Sequence, residues 1–442
     1  MTQLGQAPRG SRRHRRPRPH LVLRTPHRGV ARLRGRRPAA LALVAVLGPG
    51  LLAGLSDDDP AGITTYSILG ADYGYRLLWV LAVSTAALIV FHELAARTGV
   101  VTGKGLMRLV RERYGRRRTQ VVLTALVVAN VGTICAEFAG VAAGMDVLSG
   151  TTRYLTVPLA ALAVSTLVLR GSFGRVEHVL LGLSAIFIAY VVSGVMAHPD
   201  WSAAARGLVV PSVPLTRQGV LDTVATLGTT LAPWGLAFMQ SYAVDKRLTV
   251  RDLRYERVDV VSGAVLTGVI GLFVVVACAA TLHATGRQIH DASDAAVALQ
   301  PLAGDAARTL FGLGLVGAAL LAAAVVPLST AYSVAEAFER RCDLNDSLRA
   351  APLFYGTYAA SVVFAVTLVL LPGVPLIAIL FLSQALNAVL LLAILPFLRA
   401  LASDRELMGA HALGRRGAVA TAGVIALVAL SVAALAVLTI AG

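Results

Sequence analysis

The chain has 442 residues, 56% hydrophobic and 14% charged, with a formal net charge of +16. Soluble globular proteins carry roughly 25% charged residues, so this composition excludes a soluble domain built around one core. The positive excess does not make it a nucleic-acid binder either, because twelve arginines and no acid fall within residues 1–38. That Pro- and Gly-containing stretch lacks apolar periodicity and reads as a disordered cytoplasmic tail on the membrane surface. Tethering to lipid or RNA, or a mis-assigned start, are the alternatives. It is not a signal peptide, since no short apolar stretch with a small-residue cleavage site follows. Cys135, Cys278 and Cys342 provide neither a disulfide framework nor a CxxC metal pair.

A bilayer crossing takes about 20 apolar residues. Such runs lie near 39–73, 75–96, 120–149, 154–169, 177–197, 219–244, 258–283, 309–335, 354–371, 375–398 and 418–440. The expected fold is therefore all-α and integral to a membrane, with about eleven transmembrane helices in one domain over 39–442. With the N-terminus inside, the inner segments 1–38, 97–118, 170–176, 245–257, 339–353 and 399–417 hold 34 of the 40 Lys and Arg. That asymmetry predicts a cytoplasmic N-terminus and an external C-terminus. The longest connections, about 198–218 and 284–308, are then external.

Two spans are unusual. The first contains Ser56-Asp57-Asp58-Asp59-Pro60-Ala61-Gly62 in its middle, and the sixth contains Leu227-Gly228-Thr229-Thr230-Leu231-Ala232-Pro233-Trp234-Gly235. Proline removes a helical hydrogen bond and glycine permits unwinding. In hydrocarbon such breaks survive only where they line protein or a wet cavity. Broken helices five spans apart are what two inverted five-helix repeats give, about 39–197 and 219–398, with an extra helix at about 418–440. Breaks of this kind point to a mid-membrane ion site.

Three consecutive acids at mid-span each cost about 3 kcal/mol on insertion scales and should face a cavity. A solvated loop between two short spans is the alternative, but residues 63–73 are too few for a span. Carboxylates, freed carbonyls and an amide make an oxygen set that suits Mg²⁺ or Mn²⁺. No Cys, His or Met lies at the breaks. Gln384 in the tenth span reads either as an amide ligand or as a bond to a neighbouring helix, and Asn387 shares its face. Glu137 in the third span is a proton or ion relay, or else a buried, hydrogen-bonded side chain. Asp222 and Asp245 read as boundary charges, and His92-Glu93 as structural.

At these motifs the chain resembles the NRAMP family of divalent-metal transporters, which have a LeuT-like fold. The resemblance covers nearly everything from about residue 40. It is carried by Gly48-Pro49-Gly50, Asp59-Pro60-Ala61-Gly62-Ile63-Thr64-Thr65, Gly74-Tyr75-Arg76-Leu77-Leu78-Trp79, Arg97-Thr98-Gly99-Val100-Val101-Thr102-Gly103 and Ser403-Asp404-Arg405-Glu406-Leu407-Met408-Gly409. The resemblance implies that Asp59 is the central carboxylate and that the Thr229 carbonyl and the Gln384 side chain are further metal ligands. Asp58, Gly62, Thr65, Ala232, Pro233, Trp234 and Asn387 would line the pocket, with Glu137 as relay.

The departures are informative. Gly62 stands where the family has a ligand asparagine, and Ala232-Pro233-Trp234 stands for Met-Pro-His. Ile134 replaces an aspartate paired with Glu137. These changes are similar to those of the divergent bacterial branch that includes NRAMP-related magnesium transporters. Fewer direct ligands suit an ion that keeps several waters, as Mg²⁺ tends to.

The expected function is secondary transport of Mg²⁺ or Mn²⁺ by alternating access in a bacterial-type inner (plasma) membrane, with weak or absent proton coupling. The partners are the cation and the bilayer, with no nucleic acid and no cofactor. The oligomeric state is left open, and a monomer is compatible with these features. A sodium-coupled carrier of an organic solute is the alternative on the same fold, but the acids would repel a carboxylate. A non-transporting metal sensor is a further one. An intramembrane enzyme acting on Mg²⁺-diphosphate would need a second Asp-rich segment, which this chain lacks.

Overall fold

The computed structural model describes residues 53–54, 56–169, 185–290, 292–344 and 346–441. The Arg-rich tail, Gly48-Pro49-Gly50, most of the first half of the first span, the segment 170–176 and the start of the fifth span lie outside the described residues. No strand occurs among those described, and the chain runs as a succession of helices.

A helical segment ending at Asp57 precedes α1 (Pro60–Tyr73), and Asp58 and Asp59 between them are non-helical. Helices α2 (Leu78–Thr102), α3 (Leu106–Ser149), α4 (Arg153–Leu169), α5 (Ala189–Met196) and α6 (Trp201–Val209) follow. The sixth span is split into α7 (Arg217–Thr230) and α8 (Pro233–Asp245). Helices α9 (Leu253–Thr281), α10 (Ala307–Ala337), α11 (Pro352–Val369), α12 (Leu376–Leu391), α13 (Leu395–Ser403) and α14 (Arg415–Ala441) complete the chain.

Among the described residues six stretches, containing α2, α3, α9, α10, α11 and α14, are long and apolar enough to cross a membrane alone. The α12–α13 pair, bent by 41°, makes a seventh. The other expected spans fall short for physical reasons. The halves α1, α7 and α8 have 14, 14 and 13 residues because prolines interrupt them, and α4 has 17.

Both breaks follow from local chemistry. Asp59 caps α1, its Oδ1 accepting from the Gly62 N–H at 2.5 Å, and Pro60 occupies the first helical turn, where no N–H is needed. Pro233 opens α8 in the same way, after an extended Ala232. Several boundaries differ from the sequence reading. Helix α2 runs on to Thr102, and α3 begins at Leu106 and kinks at Gly115, whose φ is +78°. The connection at 198–218 contains α6, whose Trp201 and Val209 are exposed.

The breaks are buried by tight packing. Helix α3 lies against α10 and α12, α7 against α12, and α9 against α1. At Gly140 an added methyl would overlap the Pro60 ring, and at Gly228 it would overlap the Gln384 carbonyl. These two glycines let α3 and α12 approach the breaks at backbone distance. Large apolar clusters surround this centre, one joining Ile134, Phe138, Trp234 and Phe238 to α10 and α11.

Candidate ion site at the two helix breaks

Proline decides which backbone oxygens are free. A helical carbonyl accepts from the N–H four residues on. Pro60 and Pro233 have no N–H, so the carbonyls of Ser56 and Thr229 lose their helical donors. The two breaks thus offer matching carbonyls, Ser56 from the first span and Thr229 from the sixth.

Gly62 marks where the breaks meet. A methyl group at Gly62 would sit 2.9 Å from the Asp57 carbonyl oxygen and 3.2 Å from both Asp59 Oδ1 and Thr229 Oγ1. Oxygens of both broken spans therefore crowd one buried spot. Glu137 of α3 brings its carboxyl beside that of Asp59. Asp57, Asp58, Asp59, Thr229 and Glu137 are all at most 3% exposed. The carboxylate oxygens of Asp57, Asp58 and Glu137 and the Thr229 hydroxyl have no hydrogen-bond partner among the described residues. An orphaned buried polar group costs about 1–3 kcal/mol, and more when charged. Unpaired buried acceptors of this kind, borne on the two breaks and on α3, are costly unless protonated or met by a cation.

Gln384 lies on α12, whose backbone meets the sixth span at Gly228, next to the break. Its Oε1 accepts from Asn387 Nδ2 at 3.0 Å, and its Nε2 donates to Ser383 Oγ at 3.1 Å. Asn387 also donates to Thr133 Oγ1 on α3 at 3.1 Å. Asn387 therefore orients Gln384, while the bond to a neighbouring helix belongs to Asn387. The Gln384 oxygen keeps one lone pair free.

Other expected lining residues play different parts. Thr65 donates its hydroxyl to its own helix at Ala61. Ala232 is buried at the break and packs in the apolar cluster with Ile134, Phe138 and Trp234. Pro233 supplies the interruption. Trp234 points into the apolar cluster, and its carbonyl accepts from Ser329. Among the described residues no three His, Cys, Asp or Glu side chains form a ready-made metal cage. The oxygen set is mixed, with backbone and neutral groups completing it.

Several contributors escaped the sequence reading. His92, read as structural, faces Asp57 across Gly235, where an added methyl would lie 3.1 Å from His92 Nε2 and 3.7 Å from Asp57 Oδ1. Thr133 sits one turn before Glu137 on the same face of α3, a spacing that could have revealed it. Asp222 is not a boundary charge: it is buried, accepting from Tyr73 at 2.6 Å and from Gln218 at 2.9 Å. It ties the far end of α1 to α7. At the opposite end Glu336 accepts from Ser241 at 2.6 Å and from the Met107 N–H at 3.2 Å, joining α10, α8 and α3. Glu93 is paired with Arg257 and Arg97. A surface cavity of about 340 Å³ lies elsewhere, beside Tyr73, Arg76, Arg206 and His283. Its two guanidinium groups make it a poor place for a dication.

Comparison with known proteins bears on the family and the fold. The family model for natural resistance-associated macrophage protein-like (Nramp) chains matches residues 50–439. The divalent metal cation transporter MntH of Pectobacterium carotovorum subsp. carotovorum (strain PC1) is 31% identical over 383 residues, covering 84% of this chain and 89% of that protein. The crystal structure of the Eremococcus coleocola manganese transporter, in complex with an aromatic bis-isothiourea substituted compound, matches with a TM-score of 0.72 at 19% identity. That match covers 90% of this chain and 87% of the other. Mhp1, a nucleobase-cation-symport-1 family transporter, matches with a TM-score of 0.57 at 15% identity over 89% of this chain and 92% of its own. At these identities the two structures speak to the fold alone, which is LeuT-like. The match across nearly the whole chain shows that it belongs to the Nramp family, whose members are transporters and not enzymes.

Proposed function

We propose that the chain carries a divalent cation, Mn²⁺ or Mg²⁺, through a bacterial-type plasma membrane by alternating access around the two breaks. The MntH relative and the manganese-transporter neighbour support a divalent cargo. On this reading the eleven spans form two inverted repeats, 39–197 and 219–398, with 418–440 outside them. The N-terminus is cytoplasmic and the C-terminus external.

Asp59 is the central carboxylate, and the freed carbonyl of Thr229 and the oriented Oε1 of Gln384 are further ligands. Gly62 and Ala232 withhold two side chains, so the ion keeps part of its water shell. That choice favours a hard cation over a soft one. Glu137 is the relay beside Asp59. The ties at Tyr73–Asp222 and at Glu336 close the two ends, and transport requires each to open in turn.

The observation that supports this reading best is the meeting at Gly62 of buried oxygens from both breaks, the Thr229 hydroxyl among them without a hydrogen-bond partner among the described residues. Asp59→Asn is its sharpest test. Asparagine keeps a cap oxygen for the Gly62 N–H, so α1 still begins at Pro60, but the charge is gone. The expected outcome in proteoliposomes is loss of Mn²⁺ and Mg²⁺ uptake by at least about tenfold, with an unchanged melting profile. Wild-type uptake by this variant would remove Asp59 from the site. Asp59→Ala is a weaker test, because losing the cap alone costs about 1 kcal/mol.

A further inference from the structure

The surface cavity of about 340 Å³ at the end of α1 has a charge opposite to that of the ion site. Arg76, on the turn from α1 to α2, and Arg206, on α6, both line it. Among the described residues no acid lines it, and neither guanidinium forms an ion pair or a hydrogen bond. The acids nearby are engaged or turned elsewhere. Asp200 caps α6, accepting from the Ala203 N–H at 2.9 Å, and Asp222 accepts from Tyr73 and Gln218. Asp72 is exposed and outside the cavity wall. Two unpaired guanidiniums on one concave wall raise the local positive potential, which draws anions.

Three segments far apart in sequence are fixed around this cavity. Gly207 of α6 packs so closely on the Tyr75 carbonyl that an added methyl would overlap it. Ser212 donates its hydroxyl to the Arg76 carbonyl at 3.1 Å, and its own carbonyl accepts from the Trp79 indole at 3.0 Å. His283, just past α9, bonds the Ala71 carbonyl through Nδ1 at 2.8 Å. A carbonyl only accepts, so Nδ1 carries a proton. Nε2 lies toward Gly74, where an added methyl would sit 3.1 Å away. The guanidiniums are thus held on a braced wall, with an imidazole nitrogen beside them.

We infer that this cavity binds a small, water-soluble oxyanion of the phosphate or sulfate class, held by Arg76 and Arg206. Guanidinium presents paired N–H donors that match the oxygens of such anions. A lipid headgroup offers the same chemistry, but α6 argues for the aqueous source. Its exposed apolar residues Trp201, Leu208 and Val209 share one side of the helix by spacing. Ala203, Arg206 and Gly207, which line the cavity, fall on another side. A bound anion would tie α6 to the α1–α2 turn, beside the Tyr73–Asp222 contact. Its effect rests on the proposed transport function, under which it holds the α1–α7 end closed. The binding itself can be tested without cargo.

The experiment melts the full chain in phosphatidylcholine nanodiscs, free of divalent metal, in sodium sulfate or sodium chloride at equal ionic strength. Sulfate is expected to raise the melting temperature by about 2 °C over chloride, as a ligand of the folded state does. Sulfate also stabilises proteins by exclusion from their surfaces, so the increment is read against variants. Arg76→Gln and Arg206→Gln should each lose it, and Arg308→Gln, an exposed arginine outside the cavity, should keep it. No increment in the wild type, or an equal one in Arg206→Gln, would overturn the inference. So would an Arg206-dependent increment given by phosphatidylglycerol in the disc and not by sulfate, which would assign the cavity to a headgroup. Metal uptake without the sulfate response sinks the anion site alone. A sulfate response without metal uptake sinks the transport reading and leaves the anion site standing.

Discussion

At the scale of single residues, the pocket is defined as much by what is missing as by what is present. Ala232 is buried at the break where the family carries methionine. Thioether sulfur is a soft ligand that favours Cd²⁺ and other soft cations. Ala232→Met is therefore expected to tighten Cd²⁺ binding by about tenfold in calorimetry while leaving Mg²⁺ binding unimproved. Absence of any Cd²⁺ gain would mean that position 232 does not face the ion. Gly62 behaves differently. Any side chain there begins 2.9 Å from the Asp57 backbone carbonyl, which cannot easily yield. Gly62→Asn should thus weaken binding of every dication rather than restore a ligand. The acids were legible because a carboxylate in an apolar span stands out. Thr133 stands out less, since a buried threonine commonly bonds its own helix backbone, as Thr65, Thr226 and Thr230 do here.

At the scale of elements, the broken helices were readable because proline chemistry is local: Pro60 and Pro233 fix where α1 and α8 begin. The bend between α12 and α13 and the run of α2 to Thr102 were not, because they depend on what packs alongside. The ties between half-helices also lay beyond the sequence, since Tyr73 and Asp222 are 149 residues apart. A hydrogen bond to a charged group contributes about 1.5–3 kcal/mol. Removing one end's tie should shift an alternating-access equilibrium toward opening at that end by tenfold or more. Spin labels placed at the two ends can read this. Tyr73→Phe is expected to lengthen distances across the α1–α7 end, and Glu336→Gln across the α8–α10 end. If both variants widen the same end, or neither moves, these contacts are not gates.

At the scale of the whole molecule, the question is what drives the ion. The neighbours of Glu137 set the terms: Ile134 stands where the family pairs a second acid, and Trp234 stands for a histidine. Trp234 is packed into an apolar cluster and its indole cannot take up a proton. Among the described residues, a proton arriving at Glu137 therefore meets Asp59 as its titratable neighbour. A dication needs no such partner, because moving two charges through 100 mV releases about 4.6 kcal/mol. That is enough for roughly a thousandfold accumulation. Imposing a K⁺-diffusion potential, negative inside, on proteoliposomes should then accelerate Mn²⁺ uptake at symmetrical pH. A pH gradient alone should do little, and entry of metal should not acidify the lumen. Glu137→Gln separates the two mechanisms further. Under potential-driven transport it leaves the voltage response in place and alters only the ion's residence beside Asp59. Were Glu137 a working proton carrier, metal entry into wild-type vesicles would acidify the lumen and Glu137→Gln would abolish that signal.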